Sequence, residues 1–190
     1  MRNNIVLTQL QKILKSDNPE LLDSRIKEFS CTKDPDVESF LKNNALYYER
    51  KGLSRTYLYI AKDSDKTRIA AYFSLAITAT SFQGISKNRR EKVLGFKPGR
   101  NTKDHFGGIL VAQLGRDDKF SSKDINGREM IEDAEDFIEQ GRYFLGGQIV
   151  YIDCKELLIK VYQESGYNLV IQTPYPSGYY KMFKPLPELN

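Results

Sequence analysis

The sequence predicts an α/β domain with a central mixed sheet flanked by helices, and three observations point to it. Short runs rich in Val, Ile, Tyr and Phe alternate along the chain with segments whose apolar residues recur at helical spacing. Two consecutive strand-to-helix-to-strand passages lie between positions 108 and 172, and such passages make right-handed crossovers in an open sheet. The chain has 190 residues, 40% of them hydrophobic, which suits one core and leaves little for a second full domain. A single domain over 1–190 is therefore expected.

Residues 3–16 set Ile5, Val6, Leu10, Ile13 and Leu14 at roughly helical spacing before Asp17-Asn18-Pro19, which predicts an N-terminal helical extension over 1–22. Residues 25–29, Arg-Ile-Lys-Glu-Phe, alternate as a strand does. Pro35 opens a helix over 35–50, with Val37, Phe40, Leu41, Leu46 and Tyr47 on one face and Lys51-Gly52 as its stop. Residues 56–61 and 69–78 flank the polar run 62–66 and predict a hairpin. A basic insertion over 84–106 separates that hairpin from a buried-type strand over 108–115. A helix over 126–140 then turns Met130, Ile131, Ala134, Phe137 and Ile138 inward. Strand 148–153, helix 155–165 stopped by Gly166, and strands 168–172 and 179–183 complete the order αβαββ, insertion, βαβαββ.

The net charge of +4 is modest, but its distribution is uneven. Lys87, Arg89, Arg90, Lys92, Lys97, Arg100 and Lys103 are opposed locally only by Glu91 and Asp104. This segment reads either as a receptor for a polyanion or as a solvated helix and loop. The longest apolar run, 107–114, is too short to span a bilayer, and the N-terminus lacks a signal-type apolar core, so a soluble cytoplasmic protein without membrane partners is expected. Cys31 and Cys154 form no C-x-x-C pair and read as buried free thiols, with no metal centre.

Two units carry chemistry. The first is strand 108–115 feeding the polar stretch 116–126 and a helix from Gly127. A helix N-terminus reached from a loop offers unpaired N–H groups and a positive dipole end to an anion, although many α/β proteins hold such units without a phosphate. The second is strand 148–153 followed by a helix ending Ile-Lys-Val-Tyr162-Gln-Glu-Ser-Gly166-Tyr167. By spacing alone Tyr162 reads as a core aromatic with its hydroxyl at the edge.

Taken together, Leu110-Val-Ala-Gln-Leu-Gly-Arg-Asp117, the loop and helix after it, and the Tyr162-x-x-x-Gly166-aromatic ending resemble the GNAT superfamily of N-acetyltransferases. The resemblance covers most of the chain, from Arg25 to Phe183. It implies acetyl-CoA as co-substrate, with pantetheine along the strand at Leu114, Gly115 and Arg116 and the pyrophosphate on the loop and helix start at Ser121, Ser122, Lys123, Asn126, Gly127 and Arg128. The loop departs from the family pattern: it is one residue longer, and of its usual glycines only Gly127 remains, so Ser121, Ser122, Lys123 and Arg128 would have to compensate.

The resemblance also implies direct attack of an amine on the thioester. A backbone N–H near Leu114 or Gly115 would stabilise the oxyanion, and Tyr162 would be the general acid. A tyrosine's ordinary pKa near 10 suits a proton donor at neutral pH. No general base is evident, and His105, the lone histidine, reads as base, substrate contact or incidental loop residue. Acetyl-cysteine chemistry at Cys154 lacks a neighbouring histidine. The strand and basic segment 87–103 are similar to those of GNAT toxins of toxin-antitoxin modules, which acetylate aminoacyl-tRNA; there the basic residues would hold tRNA phosphates. A small-molecule or protein amine, or a non-catalytic GNAT-fold binding protein, stays open, as do monomer and homodimer.

Overall fold

A computed structural model describes residues 4–15, 19–63, 66–95, 97, 105–169 and 174–188. In chain order the elements are β1 (Ile5–Gln9), α1 (Leu10–Leu14), α2 (Pro19–Glu28), α3 (Pro35–Ser39), a π-helical turn (Phe40–Asn44), α4 (Ala45–Lys51), β2 (Arg55–Asp63), β3 (Lys66–Ser81) and α5 (Lys87–Leu94). They continue with β4 (His105–Arg116), α6 (Gly127–Leu145), β5 (Ile149–Cys154), a 3-10 turn (Glu156–Leu158), α7 (Ile159–Glu164), β6 (Asn168–Leu169) and β7 (Tyr180–Pro185). Among the described residues, seven strands form one mixed sheet in the order β1-β2-β3-β4-β5-β7-β6. The chain divides into two compact units, Met1–Ala76 with Ala112–Glu132, and Ile77–Val111 with Asp133–Asn190.

In the first unit two expectations are corrected. Residues 5–9 form a strand rather than helix, antiparallel to β2 from Ile5↔Ala61 to Gln9↔Tyr57. Pairing with β2 satisfies a ladder that a short helix could not, and only Leu10–Leu14 of the N-terminal segment between 4 and 15 is helical. Residues 25–28 are the end of helix α2 rather than a strand, because Leu22, Ile26 and Phe29 form an i, i+4, i+7 stripe, each at most 2% exposed. That stripe joins Leu41, Ala45, Leu58, Ile69 and Tyr72 in the first core. The helix expected over 35–50 forms from Pro35 to Lys51, with Pro35 in its first turn and Gly52 in the left-handed region at φ 70° as its cap, although the π turn interrupts it. The hairpin forms, with β2 and β3 paired from Arg55↔Leu75 to Asp63↔Lys66.

In the second unit β4 and β5 run parallel at Ile109↔Val150, Leu110↔Tyr151 and Val111↔Ile152, and β5 pairs with β7 antiparallel from Ile149↔Pro185 to Cys154↔Tyr180. Ile149, Tyr151 and Phe183 meet Val93 and Leu94 of α5 in a second core, so the basic insertion is docked by its last turn. Lys87 and Arg89 on the same helix stay exposed. Expected basic residues Arg100 and Lys103 lie outside the described residues, as does the end of the expected strand 168–172. The other face of the sheet carries Lys184, whose ammonium pairs with Glu135 of α6 at 2.7 Å and lies 5.6 Å from the centre of the Tyr167 ring. No helix is long and apolar enough to cross a membrane among the described residues.

Candidate functional site

The first unit builds the loop between β4 and α6 by hydrogen bonds to a segment far away in sequence. Asp117, 3% exposed, accepts the Ser30 N–H at 2.8 Å and the Lys119 N–H at 2.9 Å, while its own N–H donates to the Ala70 carbonyl at 2.9 Å. Asp118 follows the same route on the surface: its N–H donates to the Ser30 carbonyl, and its carboxylate accepts the Thr32 N–H at 2.9 Å and the Ser30 hydroxyl at 3.1 Å. The Thr32 N–H, ahead of the other donors, holds the Asp118 carboxyl below the usual carboxylate range. These anchors carry no local sequence signal, because Ser30 and Asp117 are 87 positions apart.

Beyond them the loop closes on itself. The Ser121 N–H and hydroxyl both donate to Asp124 Oδ2 at 2.7 Å, the Lys123 N–H donates to Ser121 Oγ at 3.2 Å, and the Asp124 and Ile125 N–H groups both reach the Ser121 carbonyl at 3.1 Å. The Ser121 bonds keep the Asp124 carboxyl below its ordinary range, so a negative charge already occupies the mouth of this loop at neutral pH. Arg116 turns its guanidinium inward, donating to the Phe120 carbonyl at 3.1 Å and the Ile125 carbonyl at 2.6 Å. Asn126 caps α6: its carbonyl accepts the Met130 N–H, and its side-chain oxygen accepts the Arg128 N–H at 2.9 Å. The expected residues Arg116, Ser121, Ser122, Lys123, Asn126, Gly127 and Arg128 are thus contiguous around one helix start. Arg116 and Ser121 serve the loop itself, whereas Ser122 and Lys123 are exposed there.

Gly115, buried on β4, faces Val37, whose carbonyl accepts the Tyr72 hydroxyl at 2.5 Å. A Cβ at Gly115 would stand 2.3 Å from Val37 Cγ1, so the strand approaches α3 only as glycine. Gly115→Ala is expected to lower stability by about 1–3 kcal/mol, measured by thermal melting, as overpacking does. The cost should shrink in a Val37→Ala background, where the obstructing methyl is gone. Leu114 beside it is half-buried.

In the second unit Tyr162, 7% exposed on α7, sets its ring edge-on against Tyr167 with centroids 5.9 Å apart at 70°. The Tyr162 carbonyl accepts the Ser165 and Tyr167 N–H groups, and Gly166 takes φ 88° to allow that turn. Burial, then the Glu135 charge, pushes the Tyr167 hydroxyl far above the ordinary tyrosine range. Burial, then Asp153, pushes the Cys154 thiol up to about 11, so it stays protonated at neutral pH and is no nucleophile. Asp153 itself is raised by desolvation against the opposing pull of Lys181, whose ammonium stands 3.6 Å away. His105 is exposed and opens β4, while Leu114, Gly115 and Arg116 close it. Both cysteines are buried free thiols, and among the described residues no cluster of His, Cys, Asp and Glu could hold a metal ion.

No protein-family model matches the chain, and no curated protein is similar to it in sequence. Solved structures are similar in fold. A crystal structure of a bacterial toxin superposes with TM-score 0.73 at 16% identity, over 95% of this chain and 90% of that one. AtaT complexed with acetyl-methionyl-tRNAfMet gives TM-score 0.70 at 13% identity, over 96% of this chain and 95% of that one. A tyrosine-to-phenylalanine mutant of the AtaT toxin, bound to the C-terminus of the antitoxin AtaR and acetyl-CoA, gives 0.65 at 12% identity, over 96% and 93%. These likenesses show the fold, a GNAT-type mixed sheet flanked by helices.

Proposed function

We propose that this chain is an acetyl-CoA-dependent N-acetyltransferase that passes an acetyl group directly to an amine, with Tyr162 as general acid. The observation that carries the reading is the fold likeness along 96% of the chain to a structure holding acetyl-CoA. The chain's own residues fit an anionic co-substrate in part. The start of the 19-residue helix α6, with the side chains of Ser122, Lys123 and Arg128 around it, offers positive charge to a pyrophosphate. The amides of Ser121, Lys123, Asp124 and Ile125 are engaged within the loop, so side chains rather than a glycine-type amide cradle do the holding.

Bound acetyl-CoA supplies an acetyl thioester, which a neutral amine attacks. A backbone N–H at Leu114 or Gly115 donates to the oxygen that gains charge, and Gly115 keeps that strand close under α3. As the C–S bond breaks, the Tyr162 hydroxyl gives its proton to the departing sulfur, and the proton shed by the attacking nitrogen passes through water to restore the tyrosine. The Arg116 side chain and the Asp117 carboxylate position the loop, and the Arg116 backbone continues the strand along which pantetheine would lie. The acceptor class best supported is an aminoacyl-tRNA, because AtaT, of the same fold, is seen with acetyl-methionyl-tRNAfMet. The chain is then a growth-arresting toxin, and a small-molecule or protein amine is the competing acceptor.

Calorimetric titration with acetyl-CoA tests the first step. Micromolar binding is expected, weakened at least about fivefold by joint Lys123→Ala and Arg128→Ala replacement, since each cation makes a charge-assisted contact. Replacing Asp124 by Asn should tighten binding, because it removes the competing negative charge. Absence of binding by the wild-type chain would leave a GNAT-fold protein that does not use acetyl-CoA. Release of free CoA on adding aminoacyl-tRNA, and not on adding polyamines or lysine peptides, would identify the acceptor.

A further inference from the structure

Away from the β4–α6 loop, Lys15, Arg50, Lys51 and Arg55 line a cavity of about 490 Å³ beside Gln11 and Glu49, at the C-terminal end of α4. Among the described residues Glu49 is the sole carboxylate of this lining, and it is already engaged. It is 2% exposed, and it accepts Arg55 Nη1 at 3.2 Å and the Thr56 N–H at 2.8 Å. Lys15, Arg50 and Lys51 form no ion pair with a described residue. A helix C-terminus would ordinarily oppose an anion through its open carbonyls. Here the Gly52 N–H and Arg55 Nη1 donate to the Glu49 carbonyl at 3.2 and 2.9 Å, and the Leu53 N–H to the Tyr48 carbonyl at 2.9 Å, so the cations set the sign of the site.

The same helix end exposes two aromatic rings. Tyr47 and Tyr48 are 56% and 36% exposed with centroids 6.0 Å apart, and Phe40 supports Tyr48 edge-on at 5.4 Å. The Lys51 ammonium stands 5.9 Å from the centre of the Tyr47 ring, so the cation and the ring are presented together. Cations that hold phosphates beside rings that stack on bases are the combination single strands need. A duplex would present phosphates but no base faces to Tyr47, and an acidic peptide would leave both rings in water.

We propose that the C-terminal end of α4 binds a single-stranded nucleic-acid segment that passes around it, with phosphates on Lys15, Arg50 and Lys51 and unpaired bases on Tyr47 and Tyr48. None of these residues belongs to the acetyl-CoA reading, and binding here is independent of acetyl transfer. The test is fluorescence anisotropy of the full chain, without acetyl-CoA, on a labelled mixed-sequence RNA of about 12 nucleotides, within the span such sites occupy. Joint Arg50→Ala and Lys51→Ala replacement should weaken binding and flatten the dependence of log K on log salt by about 1.4, two single-strand phosphate contacts. Tyr47→Ala should weaken binding roughly fivefold or more at every salt concentration without altering that slope. Arg55 is left intact because it pairs with buried Glu49, and circular dichroism checks that each variant is folded.

A duplex of equal length and a polyglutamate peptide should both compete more weakly than the single strand, and inorganic phosphate should compete only at millimolar concentration. No binding by the wild type, unchanged binding in both variants, or equal competition by polyglutamate overturns the proposal. So does loss of binding on Lys87→Ala with Arg89→Ala alone, which would move the RNA to α5. Competition by phosphate at RNA-like concentrations would identify a free-anion cavity instead.

Discussion

Replacing Tyr162 by Phe is expected to lower acetyl-transfer turnover by more than about tenfold, with acetyl-CoA affinity within about twofold of wild type. Phe keeps the ring, so the edge-on contact of Tyr162, 7% exposed, with Tyr167 is retained. Tyr167→Phe is the matched control. Its hydroxyl is buried beside Glu135 and held protonated far above the ordinary range, so its loss should move the melting temperature and leave turnover near wild type. Turnover unchanged in Tyr162→Phe, with acetyl-CoA still bound, would remove this residue from proton delivery while leaving cofactor use intact. Stopped release of CoA in both variants would point to the helix as a structural support.

Much of the fold was legible because its signals are local and repeated. Pro35 and Gly52 bracket a helix whose apolar face recurs through two turns, and the polar run before Lys66 separates two runs too apolar to be anything but a paired hairpin. Two stretches, 5–9 and 25–28, differ from their sequence pattern for the opposite reason. Ile5-Val6-Leu7 is too short for period to discriminate helix from strand, and the deciding partner, residues 57–61, lies some fifty positions away. At 25–29 a chance alternation outweighed the longer stripe Leu22, Ile26 and Phe29, which a wider window would have caught. The tyrosine-helix-glycine unit was visible as a motif. The self-closure of Ser121 on Asp124 was half visible, since a serine three positions before an aspartate is a familiar capping pattern. The anchoring of Asp117 on Ser30 was not visible at all, because nothing in either neighbourhood names the other.

That hidden anchor should prove the costliest to remove in the first unit. Asp117→Ala is expected to destabilise the chain by about 2–4 kcal/mol in chemical denaturation, because it strands the Ser30 and Lys119 N–H groups that a buried carboxylate now satisfies. It should also weaken acetyl-CoA binding, since the loop before α6 loses its tie to the segment between α2 and α3. Asp118→Ala, which removes bonds to the same segment from an exposed position, should cost clearly less, because water replaces the lost partner for Thr32 and Ser30. Its contribution carries a pH signature. The folded-state carboxyl lies below its ordinary value, so the stabilisation is complete above that ordinary value and lost as pH falls through the folded one. Melting temperatures of wild type and Asp118→Ala should therefore converge as pH drops below about 4, the ordinary range of aspartate. If Asp118→Ala is the more damaging of the two at neutral pH, the buried residue is not what holds the loop, and the surface pair must be reassigned that role.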